Sequence, residues 1–80
     1  MTIPDRITAR WIATLSNDDL QLAERSLHGS FTEEESAEKA RRGGAFSLLR
    51  GPESLTNAWL RWCMVCNATR ERGLRTSYRS

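Results

Sequence analysis

The residues best equipped for chemistry are Cys63 and Cys66, set in a C-x-x-C spacing, and His28, the one histidine in the sequence. Two thiolates so spaced serve thiol–disulfide exchange or supply half of a zinc site. Zinc needs a second pair or added histidines, so a site here would be Cys63, Cys66 and His28 completed by a carboxylate. Redox use places the pair at a helix N-terminus, where the dipole lowers a thiol pKa. Here the pair falls inside an apolar stripe, and packed, unreactive thiols are expected. No metal and no cofactor is therefore expected, and zinc or thiol chemistry at Cys63 and Cys66 ranks last among the functions considered.

Other catalytic constellations are thinner still. One histidine and packed cysteines leave no nucleophile and base to pair, and Glu33, Glu34 and Glu35 read more simply as residues favoured at a helix start. Gly43-Gly44 and Gly51 lack the frame and lysine of a phosphate loop, and Arg42-Gly43-Gly44 is a lone RGG rather than a repeat. The chain is read as non-enzymatic, with no catalytic residue assigned.

Charge carries more information than its formal total of +2. Residues 1–40 hold four cations against eight carboxylates, a net of about −4, whereas residues 41–80 hold eight arginines against Glu53 and Glu71, about +6. Either the halves neutralise each other, or the second half offers a basic surface to an acidic partner. Eleven of the twelve cations are arginine, the side chain suited to planar, bidentate contacts.

These residues must be positioned by helices. Ile3, Ile7, Trp11 and Leu15 recur at i+4 behind Pro4, which predicts a helix over about 4–15. Ser16 or Asn17 then caps a second helix, with Asp18 and Asp19 in its first turn, Leu20, Ala23 and Leu27 as its stripe and Gly29 at a left-handed stop. Together they form a helical hairpin. Thr32 and Glu35 have capping-box spacing, which predicts a third, polar and largely exposed helix over about 32–42 with Ala37 and Ala40 as its inward candidates. Ala45 to Arg50 is a short apolar stretch read as helical, broken by Gly51-Pro52. From Glu53 an unbroken pattern runs to Arg72 and Gly73 as a long final helix. The expectation is all-α: a small bundle of 4–5 helices with a long C-terminal helix, one domain over 1–75 and a frayed basic tail over 76–80.

On the final helix Leu55, Ala58, Trp59, Trp62, Cys63, Val65 and Cys66 share an arc of about 160°, the width of a core-facing stripe. Leu60 and Met64 lie outside it, so a second flank is apolar as well. That flank is either covered within the fold or an interface, where aromatic residues, Met and Arg are enriched. Arg61, Arg70, Arg72 and Arg75, with Arg79 beyond, lie on or after this helix. The first reading is stoichiometric binding of a protein through Leu60, Met64, Arg61, Arg70, Arg72 and Arg75; the second is nucleic-acid backbone binding by the arginines. A helix-turn-helix reading fails on its recognition helix, which would bring Glu33, Glu34 and Glu35 to the major groove. Glu33 to Glu38 are too few carboxylates to imitate nucleic acid and are read as a solvated face.

A chain of 80 residues gains little stability from a single core, so self-association, as a dimer, is a further expectation. No apolar run is long enough to span a membrane, and Met1 to Asp5 lack the features of a signal peptide, which predicts a cytoplasmic protein. In size and content the chain resembles the small, catalytically empty helical accessory proteins that phages and mobile elements encode to bind host machinery, anti-CRISPR inhibitors among them. That resemblance implies an inhibitor or regulator of anti-defence type and carries no site residues.

Overall fold

The computed structural model describes residues 2–41, 43 and 52–77. Among them are three helices: α1 (Ala9–Ala13), α2 (Asn17–Arg41) and α3 (Glu53–Glu71). The all-α class is as expected, but the count of 4–5 helices is not. The short helix expected over 45–50 lies outside the described residues.

The first helix is shorter than its pattern. Thr8, extended at φ −128°, accepts the Trp11 N–H on its hydroxyl at 3.1 Å and so caps a helix that begins at Ala9, not at Pro4. The residues ahead of it serve a different purpose: Ile7 is buried in the core, and the Pro4 carbonyl accepts from the Arg61 guanidinium at 2.8 Å.

The two middle helices expected from the sequence are one. Ser16 accepts the Asp19 N–H at 3.2 Å, as an N-cap should, and α2 then runs 25 residues through Gly29. Gly29 has no left-handed φ. A glycine inside a helix costs about 1 kcal/mol, whereas burying Leu27 on one side of it and Phe31 on the other stabilises the helix by about 1.5–3 kcal/mol each. Thr32, expected to cap, instead donates its hydroxyl to the carbonyls of His28 (3.0 Å) and Gly29 (3.1 Å) in the preceding turn. Ala37 and Ala40 are exposed. Counting about 100° per residue from buried Phe31, Ala37 is some 120° away and Ala40 half a turn away, while Glu38 returns to within about 20°. Glu38 is accordingly the buried residue, paired with Arg41.

α3 matches its expected bounds. Its end is a Schellman motif, with Gly73 at φ +73°, its N–H bonded to the Arg70 carbonyl (2.9 Å) and the Leu74 N–H to that of Thr69 (3.1 Å). α2 and α3 pack antiparallel, since Asn17 meets Arg72 while Glu34 and Glu38 lie by Pro52 and Leu55. Leu20, Ala23, Leu27 and Phe31 of α2 face Leu55, Trp62, Val65 and Cys66 of α3, and Ile7 closes the core from the side. Past Gly73 the chain turns back along α2. The tail expected to fray from residue 76 is held at its start, where Ser77 bonds Glu24; residues 78–80 lie outside the described residues.

Candidate interaction surface on the last helix

Among the described residues, two neighbours cover α3. α2 takes the arc from Val65 to Cys66, and α1 with its leading segment lies along the side of Arg61, Ala68 and Arg72. The third side is open: Leu60 is 48% exposed and Met64 44%. The second apolar flank read from the sequence is therefore left exposed by the described residues.

Grooves run on both sides of this open ridge. One, of about 370 Å³, is floored by Ala9, Ile12 and Ala13 of α1 and bounded by Met64 and Ala68 of α3. The other, of about 240 Å³, is lined by Trp59, Trp62, Cys63, Cys66, Asn67 and Arg70. Small alanines in α1 keep the first groove open. Trp59, half-buried, walls the second.

The arginines divide into two groups. Arg61 and Arg72, expected at a partner surface, are committed inside the chain. Arg61 holds the Pro4 carbonyl and its Nε is buried. Arg72 donates to the carbonyls of Leu15 (2.9 Å) and Ile12 (3.1 Å) and to the Asn17 side chain (3.1 Å), so it joins the Leu15 N–H on the Ile12 carbonyl and ties down the end of α1. Arg70 and Arg75 are exposed, and Arg75 uses its backbone carbonyl, not its guanidinium, to accept from Gln21 at 3.3 Å. Arg79 lies outside the described residues.

The thiols are packed. Cys66 is buried and Cys63 half-buried. Burial is the main cause that pushes the Cys63 thiol up, with Cys66 adding to it. Burial likewise raises Cys66, helped by the Glu24 carboxylate and opposed by a Thr76 hydrogen bond and Arg70. A raised pKa keeps a thiol protonated, the reverse of what a redox pair or a zinc ligand needs. His28 does not join them: its ring tilts against Trp62, centroids 5.0 Å apart. Among the described residues no three His, Cys, Asp or Glu side chains gather to hold a metal.

Sequence reasoning missed Glu24. It is 1% exposed, accepts the Trp62 indole N–H at 2.7 Å on one oxygen, and takes the backbone N–H (2.8 Å) and hydroxyl (3.0 Å) of Ser77 on the other. Its spacing from Leu20 and Leu27 placed it on the inner stripe, which was the available signal. Three donors from two distant segments make it a structural clasp.

No protein-family model, curated protein or solved structure matches the chain. Among the described residues no helix is long and apolar enough to cross a membrane.

Proposed function

We propose that the chain is a small, non-catalytic, cytoplasmic helical protein that binds another protein stoichiometrically, as an inhibitor or regulator of the phage or mobile-element accessory type, anti-defence in its role. The observation that carries this reading is the open side of α3, where Leu60 and Met64 stand exposed beside the groove shared with α1. Exposed apolar side chains grouped beside an apolar groove are a common form of interaction site, and Leu60 and Met64 stand one helical turn apart. The partner this surface suits presents an apolar side chain to the Met64 groove and a carboxylate to Arg75, an exposed cation beyond that end of the helix. The residues with catalytic potential are occupied in packing, as described for Cys66 and Glu24.

The test is capture of a partner from nuclease-treated host lysate by the wild-type chain and by Met64→Asp, with complex mass read by light scattering. A defined protein, bound at fixed stoichiometry by the wild type and lost with Met64→Asp, is the expected result. Capture that disappears with nuclease would overturn it in favour of nucleic acid, for which Arg70, Arg72 and Arg75 are exposed. Capture unaffected by Met64→Asp would remove the groove.

A further inference from the structure

We propose that the open side of α3 is a two-fold, antiparallel seam for α3 of a second copy of this chain. Glu53, Thr56, Leu60, Cys63, Asn67 and Arg70 are spaced alternately by three and four residues along one helix face, with apolar Leu60 and Cys63 at its centre and opposite charges at its two ends. At 100° per residue they fall within an arc of about 100°, and none of the six is buried. Inside the protomer, α2 and α1 hold the other two sides of the helix. The seam is thus a strip about 27 Å long on which none of the described helices of the same chain lies.

The order of side chains along the strip selects the partner and its direction. Laid antiparallel about a point between Leu60 and Cys63, each residue meets one of complementary kind: Glu53 faces Arg70, Thr56 faces Asn67, and Leu60 faces Cys63. Each pair occurs twice by symmetry. A parallel pair would instead set Glu53 on Glu53 and Arg70 on Arg70. Sliding the antiparallel pair by one heptad would set Leu60 on Arg70 in one direction and Glu53 on Cys63 in the other. Only the first arrangement matches charge with charge and apolar with apolar. The groove of Trp59, Cys63, Asn67 and Arg70 lies along the strip and receives the second copy's Leu60 and Glu53.

The pair's two-fold axis is perpendicular to the plane of both helices. Both Met64 flanks, each with its α1 groove, therefore emerge on one side of the dimer. This deepens the reading above, and rests on it only in taking the open side of α3 as a contact surface: Leu60 and Arg70 go to self-association, and the Met64 grooves remain for a partner, twice over. The seam is short, which places the dimer among small, exchangeable interfaces.

Glu53 and Arg70 are 17 residues apart on one helix, about 25 Å, so they cannot meet within a chain. The Glu53–Arg70 pairing can therefore form only between chains. Glu53→Arg and Arg70→Glu each place like charges at both ends of the seam, and each is expected to weaken self-association about tenfold or more with an unchanged helical circular dichroism spectrum. Mixed one to one, the two variants restore both opposite-charge pairs and are expected to sediment as a heterodimer of wild-type affinity. The proposal is overturned if the purified wild type stays monomeric at its highest soluble concentration, or if it dimerises and the variants neither weaken nor rescue it. These measurements use the purified chain alone, so they stand apart from partner capture and its Met64→Asp control.

Discussion

The Glu24 carboxylate holds the Trp62 indole N–H at 2.7 Å with one oxygen while its other oxygen anchors the Ser77 backbone, so one buried side chain ties α2, α3 and the C-terminal segment together. Trp62 is in turn sandwiched from the α2 side, stacked near-parallel on Phe31 at 6.0 Å and tilted against His28. Among the described residues no cation pairs with Glu24; its hydrogen bonds take the place of an ion pair.

Glu24→Leu is therefore expected to be among the most damaging single changes. It leaves the indole N–H and the Ser77 N–H without acceptors, at about 1–3 kcal/mol for each buried donor. Urea denaturation should show a loss of about 2–4 kcal/mol. In a double-mutant cycle with Trp62→Phe the effects should be less than additive, because each change removes the same bond. Additive effects would mean that the bond contributes nothing.

Arg72 is the C-terminal cap of α1, bonding the Ile12 and Leu15 carbonyls from sixty and fifty-seven residues along the chain. Arg72→Ala should fray α1 selectively, because a five-residue helix has no stability of its own. Hydrogen exchange at Ile12 and Leu15 should accelerate while the centre of α2 is little changed, with a global cost of about 1 kcal/mol. Arg75→Ala, whose guanidinium makes no hydrogen bond within the described chain, should leave exchange in α1 untouched.

Gly29 and Gly73 should respond with opposite sign. Gly29 lies within α2, and the place a methyl group would take there is clear of other atoms to 4 Å, so Gly29→Ala should stabilise by about 0.5–1 kcal/mol. Gly73 sits at φ +73°, where a side chain meets its own backbone, so Gly73→Ala should destabilise by about 1 kcal/mol. Thermal melts of the two variants decide whether α2 is one helix. A destabilising Gly29→Ala would restore the break.

Gly29 also marks where the sequence was hard to read. A glycine followed by Thr32 and Glu35 has the local chemistry of a stop and a fresh start, and each signal is worth about 1 kcal/mol. The contacts that outvote it, Leu27 and Phe31 on α3, come from residues distant in the chain. α3 was legible because its signals are local: Pro52 before it, Gly73 after it and an apolar arc between. The exposure of Leu60 and Met64 was not, since an apolar flank looks the same whether covered or open. Arg61 and Arg72 read as surface cations, and only the fold of the leading segment beside them reveals that they bond backbone carbonyls.

The thiols give a pH dependence with a definite sign. Both Cys63 and Cys66 are raised from the ordinary thiol value of 9.0, chiefly by burial. The folded chain thus holds these protons more tightly than the unfolded one, and their contribution is fully present below pH 9.0. As pH rises past that value, unfolded thiols ionise first, and the contribution is lost by the time the folded thiols ionise. Stability should therefore decline from about pH 9 upward, and the decline should be shallower in Cys63→Ala/Cys66→Ala than in the wild type, whatever the two variants' stabilities at neutral pH. The same burial predicts an order of modification by a thiolate-specific reagent at about pH 8: half-buried Cys63 ahead of buried Cys66, and both slower than in urea. Rapid labelling of Cys66 in the folded chain would contradict its place in the core and reopen the thiol as a reactive group.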